Sequence, residues 1–216
     1  MNISIVIPVY NSSSIIDNLT KEILSVIKKI SDVNKIQLIL VNDCSTDESW
    51  KKISKLSSEY KETVIGINLM RNYGQHNAIM AGLRLADGDY IILIDDDYQH
   101  PPKEIPKILS KIKEGYDVCY TSYKNNTYSK LKIFGSWINK KISNILIDKP
   151  KSIYLSSYKC LTQKVLKEII KYDGPFVYID GLIFDITKNV TSVDIEHSER
   201  KIGKSNYNIF KLISLW

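Results

Sequence analysis

The chain offers little material for covalent cross-linking. Its three cysteines, Cys44, Cys119 and Cys160, cannot all pair, have no CxxC spacing, and each lies in or beside an apolar run. They read as reduced thiols of a cytosolic protein rather than a disulfide frame or a zinc site. No apolar stretch reaches the roughly 18 residues of a membrane span. Asn2-Ile3-Ser4-Ile5-Val6 carries neither a basic n-region nor a cleavage site, so no signal peptide is expected. Several nucleotide and hydrolase signatures are also missing. There is no GxGxxG after the first apolar run, no GxxxxGK[ST] and no GxSxG, which leaves Rossmann dinucleotide binding, a P-loop and a serine nucleophile elbow without support. His76, His100 and His197 lack HExxH spacing and read as isolated core or surface histidines. No internal repeat, low-complexity tract or linker stands out.

What is present is ordinary globular material: 216 residues, 44% apolar and 25% charged, enough for one domain, with or without an appended element. The net charge of +6 is unevenly distributed. Met1 to Asp97 holds 10 basic and 13 acidic residues, and Tyr98 to Trp216 holds 20 and 11. An acidic front suits a cation and a basic back an anionic partner. Lysine enrichment at the expense of arginine is the plainer source of the total.

Apolar periodicity predicts alternating strands and helices through the first half. Strands are expected at Ile3 to Val9, Ile36 to Val41, Thr63 to Asn68 and Tyr90 to Ile94. Helices are expected at Ser13 to Ile30, capped by Ser12, Ser13 or Ser14, from the Asn42-Asp47 turn to about Tyr60, and at Gln75 to Ala86. Such βαβ units make a mostly parallel sheet, with ligands beyond the carboxyl ends of its strands. Four polar clusters fall there: Tyr10-Asn11, Asn42-Asp43, Arg71-Asn72-Tyr73-Gly74 and Asp95-Asp96-Asp97. The second half predicts a helix from Lys103 to Lys113, a strand from Asp117 to Thr121, and a basic amphipathic helix from Tyr128 to Ile147. Lys124 to Lys171 contains 11 basic and two acidic residues, which suits an interfacial helix on an anionic membrane surface. The same stripe would equally suit a helix covering the sheet.

Asp95-Asp96-Asp97 is the sharpest chemical feature. Three adjoining carboxylates repel one another unless a cation or hydrogen-bond donors balance them. Hard oxygen ligands suit Mg²⁺ or Mn²⁺ together with substrate phosphates. A solvated acidic turn capping the next helix is the alternative.

Ile5-Val6-Ile7-Pro8-Val9-Tyr10-Asn11, Leu40-Val41-Asn42-Asp43-Cys44-Ser45-Thr46-Asp47, Arg71-Asn72-Tyr73-Gly74 and Asp95-Asp96-Asp97-Tyr98-Gln99-His100-Pro101-Pro102 together resemble family 2 glycosyltransferases of the GT-A fold. Arg200-Lys201-Ile202-Gly203-Lys204-Ser205-Asn206-Tyr207 is similar to a segment of polyprenyl-phosphate glycosyltransferases, relatives of dolichol-phosphate mannose synthase. The resemblance implies an α/β fold with a Rossmann-like sheet, a catalytic domain over 1–206, and a juxtamembrane or docking helix starting at 207–216. It implies that Pro8, Tyr10 and Asn11 line the nucleotide site, although many relatives carry Glu in place of Asn11. Asp43 would bind the base and Arg71 the base or diphosphate. Asp95 and Asp97 would take the outer positions of a DxD motif, with Asp97 on the metal and Asp95 on the ribose or a metal-bound water. Asp96 would lie beside them, and Gln99 near metal or sugar. Arg200 and Ser205 would close over the diphosphate from a C-terminal loop. Ser156-Ser157-Tyr158-Lys159 stands where many relatives have an acidic residue followed by Phe-Arg, which leaves Asp180 as the candidate base or, alternatively, a helix cap.

The activity so implied is inverting transfer of a sugar from a nucleotide diphosphate, UDP favoured over GDP, to a polyprenyl phosphate at the cytoplasmic face of the membrane. A membrane-spanning partner or further C-terminal spans would then be expected, and no nucleic acid. The alternatives are a soluble relative acting on a sugar hydroxyl in surface polysaccharide synthesis, a non-catalytic nucleotide-binding module, and a nucleotidyltransferase. The last usually has a Gly-rich first loop, unlike Tyr10-Asn11-Ser12-Ser13-Ser14.

Overall fold

A computed structural model describes residues 1–123, 150 and 153–196. Strand β1 (Asn2–Val9) is followed by α1 (Ile16–Ile27), β2 (Lys35–Asn42), α2 (Ser49–Glu59), β3 (Val64–Asn68), α3 (Gln75–Leu83) and β4 (Tyr90–Leu93). A 3₁₀ turn (Pro102–Glu104) leads into α4 (Ile105–Ile112) and β5 (Val118–Tyr123). Then come β6 (Lys159–Thr162), α5 (Gln163–Ile169), α6 (Ile179–Ile186) and β7 (Val190–Ile195).

The strands form one sheet of seven in the order β3-β2-β1-β4-β6-β5-β7. Pairs β2–β3, β1–β2, β1–β4 and β5–β7 are parallel, while β6 runs antiparallel to both β4 and β5. Chain order runs outward from β1 to β3, then jumps back across β1 to β4. That reversal opens a crevice at the carboxyl ends of β1 and β4.

The period of two in the strands builds two cores. Ile3, Ile5, Ile7, Val9, Leu38, Leu40, Ile92 and Ile94 face one layer, with α1, α2 and α4. Val6, Ile39, Val41, Ile91, Leu93, Val118 and Leu161 face the other, with α3, α5 and α6. Each fully buried aliphatic side chain contributes about 1.5–3 kcal/mol of transfer free energy. The same parity carries past the end of β4 and sends consecutive aspartates to opposite layers.

The predicted first-half elements are all present, with ends shifted by a few residues. One expectation is corrected: no serine side chain caps α1, which starts at Ile16 after an Ile15 N-cap. The Ser12 carbonyl instead accepts the Ile15 and Ile16 N–H groups, and the serine side chain is committed elsewhere. Strands β6 and β7 and helices α5 and α6 were not legible. The predicted Tyr128–Ile147 helix, the Arg200–Tyr207 segment and the apolar 207–216 pattern lie outside the described residues. Among the described residues, no helix is long and apolar enough to cross a membrane.

The turn between α3 and β4 is tight. A Cβ at Gly88 would stand 2.6 Å from the Ser4 backbone nitrogen, and the Gly88 N–H donates to Ser4 Oγ at 2.9 Å. Gly88→Ala must therefore move backbone, and urea unfolding should show a loss of about 1–3 kcal/mol.

Candidate active site

The four polar loops at the carboxyl ends of β1 to β4 each contain a residue with positive φ. These are Asn11 at 56°, Cys44 at 57°, Gly74 at 86° and Tyr98 at 60°. Only glycine adopts that region freely, and a bulky residue such as Tyr98 costs about 1–3 kcal/mol there. Such backbone persists because side chains stitch the loops together. Asn11 N–H donates to Ser45 Oγ at 3.0 Å, and Asn11 Oδ1 accepts from Thr46 N–H at 2.8 Å. Asp43, buried, accepts from the Tyr73 and Gly74 N–H groups at 2.8 and 2.9 Å, so both its oxygens hold the loop that enters α3. Asp47 accepts from the N–H of Ser13 at 3.0 Å and of Ser49 at 2.9 Å, joining the first loop to the start of α2.

The acidic run is divided three ways. Asp95 turns to the α3 layer, where Gln75 Nε2 donates to Oδ1 at 2.7 Å and the Ser157 hydroxyl donates to Oδ2. The buried His100 ring brings its Nδ1 to 3.7 Å from the same Oδ2. Asp96 turns the other way and accepts from Tyr10 N–H at 3.1 Å and Ser12 Oγ at 2.5 Å. Burial pushes its carboxyl up to about 6, despite those donors. Asp97 accepts from Gln99 N–H at 3.1 Å. Tyr10 is exposed, and Arg71 lies 4.5 Å over the ring of the exposed Tyr73.

Asp95 and Asp97 offer hard oxygens at a strand end, and one or two carboxylates are the usual protein share of a Mg²⁺ or Mn²⁺ shell completed by phosphates and water. Among the described residues, no group of three or more His, Cys, Asp or Glu side chains could hold a metal ion. Asp95 and Asp97 alone fit a cation whose remaining ligands come from water or phosphate oxygens.

A second cluster adjoins Asp95. Asp180, in the first turn of α6, ion-pairs with Lys159 at the start of β6. Its Oδ1 also accepts from the Tyr120 hydroxyl at 2.9 Å. Burial and the Asp180 charge raise the Tyr120 phenol well above its ordinary value, so it is a donor at any physiological pH. His76 stands edge-on to Tyr178, 5.2 Å between ring centres, and burial lowers its pKa. Sequence reasoning gave no site role to Gln75, Ser12 or Tyr120, and met Ser12 only as a possible helix cap. It met Ser157 and Lys159 only as departures from a family pattern. The signal available was a lone lysine inside the apolar Tyr158-Lys159-Cys160-Leu161 run.

A crevice at the switch point of an open α/β sheet, with carboxylates issuing from β4, defines a GT-A-type domain. Residues 4–170 match Glycosyl transferase family 2, and the chain belongs to that family. Among its relatives is the undecaprenyl-phosphate 4-deoxy-4-formamido-L-arabinose transferase of Proteus mirabilis (strain HI4320), 34% identical over 99% of this chain and 65% of the relative. The transferase of the same name from Shewanella sediminis (strain HAW-EB3) is 35% identical over 99% of this chain and 64% of that protein. The chain thus spans just under two thirds of the length of these relatives. Glucosyl-3-phosphoglycerate synthase from Mycobacterium tuberculosis, in complex with Mn²⁺ and UDP-glucose, superposes with a TM-score of 0.70 at 17% identity, over 99% of this chain and 74% of that one. That likeness is one of fold.

Within the site, the perturbed carboxyls of Asp47 and Asp96 act on stability with opposite signs. Hydrogen bonds from Ser49 and Ser13 outweigh partial burial and hold Asp47 at about 2. Its contribution is present above the ordinary value near 4 and is lost as pH falls toward 2. Asp96, raised to about 6, binds a proton more tightly folded than unfolded, so stability falls as pH rises from about 4 to about 6. Denaturation midpoints across pH should show Asp96→Asn removing the second slope and Asp47→Asn flattening the first.

Proposed function

We propose that the chain is an inverting glycosyltransferase that moves a sugar from a nucleotide diphosphate, UDP in preference to GDP, to a polyprenyl phosphate. The observation that carries this reading is the end of β4, where Asp95 and Asp97 are presented at the switch point while Asp96 is tied back to the first loop. The names of relatives 34–35% identical along nearly the whole chain supply the acceptor class and a candidate sugar.

In this reading Asp97 binds Mg²⁺ or Mn²⁺, and Asp95, oriented by Gln75 and Ser157, faces the ribose or a metal-bound water. A cation held there would supply positive charge against the leaving diphosphate. Pro8, Tyr10 and Asn11 line the nucleotide side, Asp43 and Arg71 the base side, and Gln99 the sugar side. Asp43 serves there by shaping the loop through Tyr73 and Gly74 as much as by direct contact. Arg200 and Ser205 serve the diphosphate side, Arg200 adding positive charge where negative charge grows. The acceptor reaches the site at the cytoplasmic face of an anionic membrane, assisted by the basic Tyr128–Ile147 segment and by a membrane-spanning partner.

Thermal shift with a UDP-sugar panel and Mn²⁺ tests the donor half. At a hundred times Kd, a true donor adds about 2.7 kcal/mol of stability. Asp97→Asn should lose that metal-dependent gain while unfolding as cooperatively as the wild type. Unchanged transfer by this variant, or by the wild type in excess EDTA, rejects the metal role. Salt-sensitive sedimentation with anionic vesicles, weakened by changing Lys132, Lys140 and Lys141 to Glu, tests the membrane half.

A further inference from the structure

A buried ion pair needs a reason. Desolvating a carboxylate and an ammonium is costly, and an apolar pair of similar shape is often as stable. Lys159 and Asp180 leave only 4% and 11% of their side chains exposed. The ammonium also lies 5.0 Å over the Tyr120 ring, whose hydroxyl donates to the same carboxylate oxygen. The pair is not remote from the crevice. Ser157, two residues before Lys159, touches Asp95, and His76 lies within electrostatic reach of Asp180, Lys159 and Asp95 together.

Resting on the acceptor reading above, we propose that Asp180 and Lys159 form one positioning unit that keeps the acceptor side of the crevice free of net negative charge, and that Asp180 is not the proton acceptor. A general base needs a lone pair within reach of the acceptor proton. Here Oδ1 of Asp180 takes both the Lys159 and the Tyr120 donors, which leaves Oδ2 as the one oxygen that could reach an acceptor proton. An uncompensated carboxylate near Asp95 would also repel an incoming phosphate. The chemistry is consistent with a paired Asp180. A phosphate oxygen forms the bond to the anomeric carbon as the bond from that carbon to the diphosphate oxygen breaks, and the nucleoside diphosphate leaves with the electron pair. A phosphate dianion has no proton to lose in that step, whereas an alcohol must give one up. The groups facing Asp180 are Lys159 from β6, Tyr120 from β5, His76 from α3 and Tyr178 beside it, so no second carboxylate of the described cluster is in direct contact with it.

The test reads acceptor binding and turnover separately, with a short-chain polyprenyl phosphate and the matching polyprenol. In binding, Lys159→Met exposes the acceptor to a naked carboxylate and should weaken polyprenyl phosphate about tenfold or more. Adding Asp180→Asn to it should recover most of that loss, and Lys159→Arg should stay near wild type. Equal binding by Lys159→Met and the double variant, or a Lys159→Arg defect as large as that of Lys159→Met, overturns the proposal. In turnover, Asp180→Asn should raise the acceptor KM while kcat falls less than about tenfold, well short of the 10²–10⁴ of a lost base. Its pH profile should keep the limb from the acceptor's own ionisation near about 6. Loss of that limb with a kcat drop beyond about 10² overturns the proposal. So does wild-type transfer to the polyprenol. Binding in the expected order with no transfer to either acceptor overturns the proposed activity and leaves the positioning unit standing.

Discussion

Three carboxylates leave a buried strand in succession, and charges of one sign so close together cannot all face the same space without a cation. The molecule resolves this by direction. Leu93 faces the α3 layer and Ile94 the α1 layer, and the chain carries that alternation into Asp95 and Asp96. Asp95 meets Gln75 and Ser157, while Asp96 meets the backbone of Tyr10 and the hydroxyl of Ser12. The division ties the end of β4 to the first loop, to α3 and to the segment entering β6. The crevice is therefore framed by hydrogen bonds to the acidic run itself.

The surrounding loops obey the same constraint. Positive-φ backbone at Asn11, Cys44 and Tyr98 is tolerated because each loop is fastened to its neighbour. Asn11 reaches Ser45 and Thr46, Asp43 reaches Tyr73 and Gly74, and Asp47 reaches Ser13 and Ser49. Two residues expected at the nucleotide, Asn11 and Asp43, thus hold backbone in this structure. Preorganisation of this kind suits a site that must meet a diphosphate in a fixed pose.

The antiparallel β6 sets the other half of the crevice. It pairs with β4 so that Lys159 lies opposite Leu93 and Tyr120, close to the acidic run. Through Lys159 of β6 and Tyr120 of the neighbouring β5 the sheet engages α6, and Asp180 becomes part of a neutral, buried pair. An acidic run and a charge-neutral buried pair are thereby built from adjacent strands.

The parallel half of the sheet was legible in the sequence because buried parallel strands are short β-branched runs separated by amphipathic helices, and Ile5-Val6-Ile7 and Leu38-Ile39-Leu40-Val41 leave few other readings. The acidic run and the polar strand ends were legible as well, since their chemistry is local. The partner of each carboxylate was not. Gln75 and Asp95 are 20 residues apart, Ser12 and Asp96 84, and Tyr120 and Asp180 60. Periodicity within one element carries no information about such pairings. Four-residue β6, with a charged residue at its start, gives no strand signal of its own, and its antiparallel insertion follows from the sheet edge that β4 leaves open. The sequence by itself determined the layers and the kind of chemistry at the strand ends. Only the tertiary structure decided which aspartate faces which layer and which lysine neutralises Asp180, because those choices depend on strand order and on contacts between elements far apart in the chain.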